Sequence, residues 1–170
     1  MISEKLIQGI NEQITKEFAS EFVYIAMEAY FKGRSLDGFA NFFHIQALEE
    51  RDHAYLFFNH LYRLGAEVKL ADFKMEADDF KNDIEVFEQF LKHEQMVTAS
   101  IVNLMDIARE NKDYQAESLL KWFIDEQIEE EENATALLEK MKLIDGNPNG
   151  MFMLDAELAA RVYTPITTIE

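Results

Sequence analysis

Apolar residues recur every three or four positions along four long stretches of the chain, a pattern typical of amphipathic helices. The first stretch follows Ser3, a candidate N-cap, and ends at Gly33. The pattern predicts four long helices at about residues 3–32, 36–64, 83–110 and 113–143. A short fifth helix is predicted at about 154–162, beyond the breaker sequence Gly-Asn-Pro-Asn-Gly at 146–150. A single all-α domain over residues 1–170 follows.

The connections between these stretches predict how the helices are arranged. Short connections after the first and third helices make each an antiparallel neighbour of the helix that follows it. Residues 66–82 lose the helical periodicity, and in extended form they reach ~55 Å. A helix of about thirty residues is only ~45 Å long. The segment can therefore return along the whole bundle as a crossover, which places the third helix parallel to the second.

Each long helix interrupts its apolar face with polar residues near its middle. These residues are Glu17 and Tyr24 in the first helix, Glu50 and His53 in the second, Glu94 in the third, and Gln127 and Glu130 in the fourth. In antiparallel pairs the helix midpoints lie at one height, so these side chains are expected to converge. A buried carboxylate without a partner is costly, and a divalent cation removes that cost. Several carboxylates with one imidazole favour two adjacent iron(II) ions over zinc.

Each of these residues taken alone also has a purely structural explanation. A single buried Glu can be a hydrogen-bonded core acid, and His53 can be a satisfied core histidine. Tyr24 can be a packing residue with its hydroxyl satisfied, and Gln127 can merely hold neighbouring carboxylates in place. The interruption of every helix at matching depth favours the metal interpretation, because independent exceptions would not align in this way.

Composition and charge restrict the function further. The 170 residues, with 48% hydrophobic content and 2 Pro, suit one domain built of long helices. Because the chain has no cysteine, disulfides, Cys-ligated zinc, iron–sulfur clusters and thiol catalysis are excluded. The net charge of −17 argues against nucleic acid and anionic membranes as partners and favours cations. The sequence shows neither a signal peptide nor a membrane span, which predicts a cytoplasmic location.

Several longer motifs accompany the polar positions. They are Asn11-Glu12-Gln13 ahead of Glu17, Glu50-x-x-His53, His93-Glu94, Leu120-Lys121-Trp122-Phe123, and Glu126-Gln127-x-Glu129-Glu130-Glu131. In these motifs, and over essentially its full length, the sequence resembles the non-haem ferritins of bacteria and archaea. The resemblance implies a ferritin-like four-helix bundle with a long crossover, a short fifth helix and assembly into a hollow 24-subunit cage.

The resemblance also implies an iron-oxidising (ferroxidase) centre and storage of the ferric product as mineral inside the cage. Glu17, Glu50 and His53 would hold the first iron, and Glu50 would bridge to a second iron held by Glu94 with Gln127 and Glu130. Tyr24 matches a tyrosine beside the centre, and O2 or H2O2 would be the oxidant. Glu49, Glu126 and Glu129, together with Glu130, match a third iron site. The alternative for the acidic run 129–132 is a solvated helix face.

Three features separate the chain from other bundle proteins. A bacterioferritin would carry a second Glu-x-x-His in the fourth helix and a haem-ligating methionine before the second-helix histidine. Here Glu130 and Asp52 stand at those positions, so no haem is expected. A rubrerythrin would need a cysteine-rich domain. Glu21 departs from the ferritin pattern, and is either an additional acid near the iron path or a surface residue.

Two other classes of function compete with iron storage. One is a structural protein or catalytically silent subunit, which would be expected to lack several of the ligands that this chain retains. The other is a bundle oxidase or manganese catalase, which would need a substrate pocket.

Overall fold

The computed structural model describes residues 2–75 and 79–167, and these residues form five α-helices. The helices are α1 (Glu4–Lys32), α2 (Asp37–Arg63), α3 (Asp83–Glu110), α4 (Tyr114–Ile144) and α5 (Pro148–Ala159). The predicted all-α fold class is confirmed, and the four long helices begin and end within one residue of the predicted positions. None of the helices in the described ranges is long and apolar enough to cross a membrane.

The fifth helix lies earlier in the chain than predicted. It begins at Pro148 instead of about residue 154, and it ends at Ala159 instead of about 162. Proline suits the first helical turn because its missing N–H has no partner there and its fixed φ is helical. The Asn147 side chain accepts hydrogen bonds from the backbone N–H groups of Asn149 and Gly150. The breaker sequence therefore contains the cap and the first turn of α5.

Side-chain caps fix the starts of three long helices. Ser3 Oγ accepts a hydrogen bond from the Leu6 N–H at 3.2 Å, as its position in the sequence predicts. Asp113 likewise accepts from the Ala116 N–H at 3.1 Å, and Asn82 caps α3 in the same way. Each cap satisfies a backbone donor that the first turn of a helix leaves without a partner.

Aromatic contacts give the relative direction of α2 and α3. Phe39 of α2 packs against Phe87 of α3, and Phe43, one turn further along α2, packs against Phe90. Residue numbers therefore rise in the same direction along both helices, so α3 is parallel to α2. The crossover between them, predicted at 66–82, is free of helix in its described parts, 66–75 and 79–82. Its residues 76–78 lie outside the described residues.

The first part of the crossover is attached to α1. Asn11 donates from its side-chain amide to the Glu67 carbonyl at 3.1 Å and accepts from the Lys69 N–H at 2.6 Å. Thr15, one turn later, accepts from the Ala71 N–H. These bonds satisfy backbone groups of a non-helical segment that would otherwise lack partners on the protein side.

The core consists of two apolar clusters separated by a polar layer. One cluster contains Tyr24, Phe31, Phe39, Phe43, Phe87 and Phe90, and the other contains Ile10, Ile14, Phe57, Ile101, Leu120 and Phe123. The layer between them is composed of residues that the sequence marks as interruptions, and all are buried: Glu17, Glu50, His53, Glu94, Gln127 and Glu130. Burial of the apolar side chains in the two clusters stabilises the fold and offsets the cost of burying the polar layer.

Helix α5 contacts the start of α2 closely. Asp155 Oδ1 accepts hydrogen bonds from the backbone N–H groups of Gly38 and Phe39, at 2.8 and 3.1 Å. At Gly38 the two backbones are so near that an added Cβ would lie 1.7 Å from the Asp155 carbonyl oxygen. A side chain at residue 38 is therefore incompatible with this packing.

Replacing Gly38 with Ala is expected to displace α5 and lower the free energy of unfolding by about 1–3 kcal/mol. Chemical denaturation of the purified protein measures the change. Gly33→Ala is the matched control, because a Cβ at Gly33 meets its nearest neighbours at an ordinary 3.5 Å. Equal stability of the two variants would contradict the close α2–α5 contact.

Candidate metal centre

Three buried side chains converge between α1 and α2. Glu17 projects from the middle of α1, and Glu50 and His53 project from α2, where their spacing of three places them on one face. Each offers one ligand atom, and these three atoms lie within 4.8 Å of one another. This is the separation expected of groups able to bind one ion together.

Hydrogen bonding leaves one potential ligand atom free on each of these residues. Glu17 Oε1 accepts from Gln13 Nε2 at 2.9 Å, and His53 Nδ1 lies 3.8 Å from Glu50 Oε1. Glu17 Oε2, Glu50 Oε2 and His53 Nε2 are buried and have no hydrogen-bond partner among residues 2–75 and 79–167. Buried polar atoms are rarely left in this condition. Two carboxylate oxygens and an imidazole nitrogen form a suitable donor set for a divalent transition-metal ion.

Glu94 enters the polar layer from α3 and is fully buried. The Tyr24 hydroxyl of α1 donates to Glu94 Oε1. Gln127 of α4 donates from Nε2 to Glu94 Oε2 at 3.1 Å and also lies 3.3 Å from Thr98 Oγ1. The predicted residues Tyr24, Glu94 and Gln127 are therefore in direct contact, with the tyrosine and the amide each holding one carboxylate oxygen.

Glu130 of α4 occupies the side of the layer next to α2. Its Oε2 accepts a hydrogen bond from Gln46 Nε2 at 2.9 Å. Gln46 lies one turn before Glu50 on α2, so both residues face the bundle interior.

Burial and mutual repulsion raise the pKa values of these carboxyl groups. For Glu17, burial raises the pKa well above its usual value, and the Glu50 charge raises it further. The pKa of Glu50 is raised by burial and then by the Glu94 charge. The pKa of Glu130 is raised to about 8, mainly by burial and then by Glu94. A cation at the centre would oppose all of these shifts because it favours the ionised carboxylates.

The residues predicted to form a third site are not gathered in the same way. Glu49 Oε2 accepts from Arg161 Nη2 at 2.7 Å, Glu126 is half-buried, and Glu129 is exposed. In the described part of the chain, Glu17, Glu50 and His53 form the only acid–histidine group that approaches within metal-binding distance. The third site therefore stays a prediction.

Glu21, for which the sequence left two alternatives, is buried. Its Oε1 accepts a hydrogen bond from Arg51 Nε at 2.9 Å, and only 7% of its side chain is exposed. The alternative of a surface residue is therefore excluded, and the charge of Glu21 is balanced by an arginine next to Glu50.

Some of the residues that contact the predicted ligands are not among the site residues that the sequence predicts. Gln13, Gln46 and Thr98 contact the predicted ligands directly. Gln13 and Gln46 lie one helical turn before Glu17 and Glu50. This spacing is the signal in the sequence that could have indicated their contacts with the predicted ligands. Arg161 follows α5, where no periodicity places it near the centre.

Comparison with known proteins agrees with this architecture. Residues 7–144 match the family model described as the ferritin-like domain. The chain belongs to the ferritin family. The bacterial non-heme ferritin of Staphylococcus aureus (strain USA300) is 37% identical over 163 residues, covering 96% of this chain and 98% of the relative. The Staphylococcus epidermidis protein of the same name is 36% identical over the same coverage.

Solved ferritin structures superpose closely on this chain. A closed form of the Archaeoglobus fulgidus ferritin, engineered by site-directed mutagenesis, gives a TM-score of 0.93 at 34% identity and covers 96% of this chain and 100% of its own. A humanized archaeal ferritin gives a TM-score of 0.95 at 34% identity, covering 97% and 100%. The predicted resemblance and the ferritin-like bundle are thereby confirmed.

The raised pKa of Glu130 predicts a pH-dependent stability of the metal-free ferritin. Between 4.5, the usual value, and about 8, the folded chain holds a proton on Glu130 that the unfolded chain has lost. The free energy of unfolding therefore falls as pH rises, by about 1.4 kcal/mol per pH unit for this group. Urea unfolding at pH 6 and pH 8, at one protein concentration, measures the loss. Glu130→Gln should lose about 2 kcal/mol less than the parent over that interval, and an equal loss would contradict the shift.

Proposed function

We propose that this protein stores iron and is a ferroxidase. In this proposal it binds Fe2+ inside the helical bundle, oxidises it with O2 or H2O2, and deposits ferric mineral within a cage of 24 identical subunits. The observation that carries the proposal is the convergence of Glu17, Glu50 and His53 in a ferritin-family bundle. They offer ligand atoms within 4.8 Å of one another, and each of them has one buried polar atom without a hydrogen-bond partner in the described part of the chain. Iron is the substrate and the cargo of this reaction.

Two adjacent ions are proposed to bind within the polar layer. Glu17, Glu50 and His53 hold the first Fe2+. Glu94 holds the second, with Gln127 and Glu130, and Glu50 bridges the two. The pKa values of Glu50 and Glu94 are both raised above the usual value, and the charge of Glu94 is one cause of the rise at Glu50. This mutual repulsion between the two carboxylates supports the assignment.

The carboxylates favour oxidation because their attraction to the metal grows with its charge. A site that holds Fe2+ with carboxylates holds Fe3+ more strongly, which lowers the free energy of the oxidised state. Two Fe2+ ions each lose one electron, and O2 accepts both electrons with two protons to give H2O2. A paired site therefore avoids release of a one-electron oxygen radical.

Tyr24 is proposed to position Glu94 during this reaction. Its hydroxyl is fully buried and donates to Glu94 Oε1, and burial with the Glu94 charge raises its pKa well above the usual value. The tyrosine therefore stays a neutral donor at physiological pH. It restrains one oxygen of Glu94 without altering the charge of the centre.

A further proposal concerns a third ion and the attraction of cations to the protein. Glu49, Glu126 and Glu129, with Glu130, are proposed to bind a third ion beside the pair. The net charge of −17 attracts cations to the protein.

Assembly into a homo-oligomeric cage is supported by the close superposition on archaeal ferritins. A cytoplasmic location remains part of the proposal.

Adding excess Fe2+ in air to the metal-free protein tests storage directly. Size-exclusion chromatography with simultaneous detection of protein and iron should show iron co-eluting with a very large particle. A large particle without iron would indicate a catalytically silent shell. A small species holding one or two ions per chain would indicate a bundle oxidase, and either result would overturn the storage proposal.

Replacing both Glu50 and His53 with alanine should slow Fe2+ oxidation by roughly a hundredfold or more, or about 2.7 kcal/mol in activation free energy. The appearance of ferric product, followed by absorbance, measures the rate, and chromatography checks that the particle is intact. The matched control is Glu28→Ala with His44→Ala, which removes a glutamate–histidine pair of 3.1 Å whose histidine is half exposed. An unchanged rate in the first variant would refute the site.

A further inference from the structure

The chain immediately after α5 places an arginine beside the metal centre. Arg161 follows Ala160, the last residue of the α5 cap. Its backbone carbonyl accepts a hydrogen bond from Asn41 Nδ2 of α2 at 3.0 Å. The same amide also donates to the Leu158 carbonyl at 3.2 Å. Helix α2 therefore fixes the backbone from which the arginine side chain extends.

The guanidinium group is held by four separate contacts with α2. Nη1 donates to Gln46 Oε1 at 2.6 Å and to the Phe42 carbonyl at 3.4 Å. Nη2 donates to Glu49 Oε2 at 2.7 Å, and the group lies over the Phe42 ring at 4.7 Å. Its side chain is 27% exposed. So many directed contacts restrict the guanidinium to one position.

This position determines how the Gln46 amide is oriented. A guanidinium has donors but no acceptor, so it must face the amide oxygen of Gln46. The amide nitrogen is then directed to the other side, where it donates to Glu130 Oε2 at 2.9 Å. A reversed amide would place its N–H groups against Arg161 and its oxygen against the Glu130 carboxylate. The first contact would set donors against donors, and the second would set the amide oxygen against a carboxylate oxygen, so both would be repulsive.

We propose that Arg161 is a positioning residue for the metal centre, acting through Gln46 to hold the Glu130 carboxylate in its binding orientation. The inference rests on the proposed function, since it concerns the second of the two metal ions. The arginine contacts neither that ion nor its ligands. It acts on Glu130 through two hydrogen bonds, from Arg161 to Gln46 and from Gln46 to Glu130, and it belongs to a segment that follows the bundle in the chain.

The pairing of Arg161 with Glu49 supports the same role. Glu49 is adjacent to Glu50, and its ion pair fixes the guanidinium on the outer side of α2 at the height of the centre. The positive charge of Arg161 is therefore paired with Glu49, while the neutral amide of Gln46 contacts Glu130.

Calorimetric titration of the metal-free, assembled protein with Zn2+ tests the proposal without relying on oxidation. Besides any ion held at the proposed third site, the parent protein is expected to bind two Zn2+ per chain at the paired sites of the polar layer. Arg161→Met should weaken one of these two paired sites by 10–100-fold, the range roughly expected when a metal ligand loses its outer hydrogen-bond partner, because Gln46 would no longer be held against Glu130. The other site should keep its affinity. In a His53→Ala background, which removes a ligand of the first ion, the remaining site should be the one that Arg161→Met weakens.

Two further variants test whether the effect passes through Gln46. Gln46→Leu should weaken the same site to a similar extent, and the double variant with Arg161→Met should show little additional loss. Arg161→Lys should recover only part of the affinity, because an ammonium lacks the planar fork that reaches Gln46 and Glu49 together. Additive losses in the double variant would overturn the proposed route.

Lys140→Met provides the matched control for loss of a positive charge. Lys140 pairs with Glu157 of α5 at 2.8 Å, and both side chains are about half exposed. This variant should bind both ions as the parent does. Unchanged binding in Arg161→Met, or equal weakening of both sites, would overturn the proposal. Failure of the parent protein to bind Zn2+ through Glu17, Glu50 and His53 would instead refute the proposed function.

Discussion

The burial of several carboxylates at one height in the bundle is the constraint on which the rest of the structure depends. Glu17, Glu50, Glu94 and Glu130 lie within a core where the usual cost of an unpaired charge is several kcal/mol. The apolar clusters on either side of this layer keep the helices together despite that cost. Their aromatic side chains are closely packed, with Phe57 and Phe123 stacked at 4.1 Å between ring centroids. Stability is concentrated above and below the layer, which leaves the layer itself available for chemistry.

Neutral amides support the carboxylates without cancelling their charge. Gln13 donates to Glu17, Gln127 to Glu94, and Gln46 to Glu130. A lysine or arginine in any of these places would form a stronger hydrogen bond but would also lower the attraction of the centre for a cation. Each glutamine instead restrains one oxygen and preserves the negative potential. Partial hydrogen bonding of the acids therefore agrees with the proposed binding and later release of a positively charged substrate.

The sequence predicted the bundle and its inward-facing acids because both depend on local periodicity. Residues such as Glu94 and Glu130 occur at core spacing within long helices, so their burial follows once the helix is recognised. The predicted start of α5 is wrong because the sequence around Pro148 is typical of a helix breaker, whereas proline can equally open a helix when Asn147 caps it. The orientation of Gln46, and the pairing of Glu21 with Arg51, depend on contacts between residues far apart in the chain. Periodicity carries no information about such contacts.

The segment after α5 contacts the outer face of α2, while the inner face of α2 carries the candidate metal ligands. Glu49 and Asp52 immediately precede Glu50 and His53, so they point away from the centre. Asp52 Oδ2 accepts from the Tyr163 hydroxyl at 2.7 Å and from the Ile166 N–H at 2.8 Å, and Glu49 accepts from Arg161. The two outward acids thus attach the end of the chain to α2 at the height of the polar layer. Because Glu50 and His53 share that helical turn, contacts that fix the outer face also fix the backbone from which both inner side chains extend.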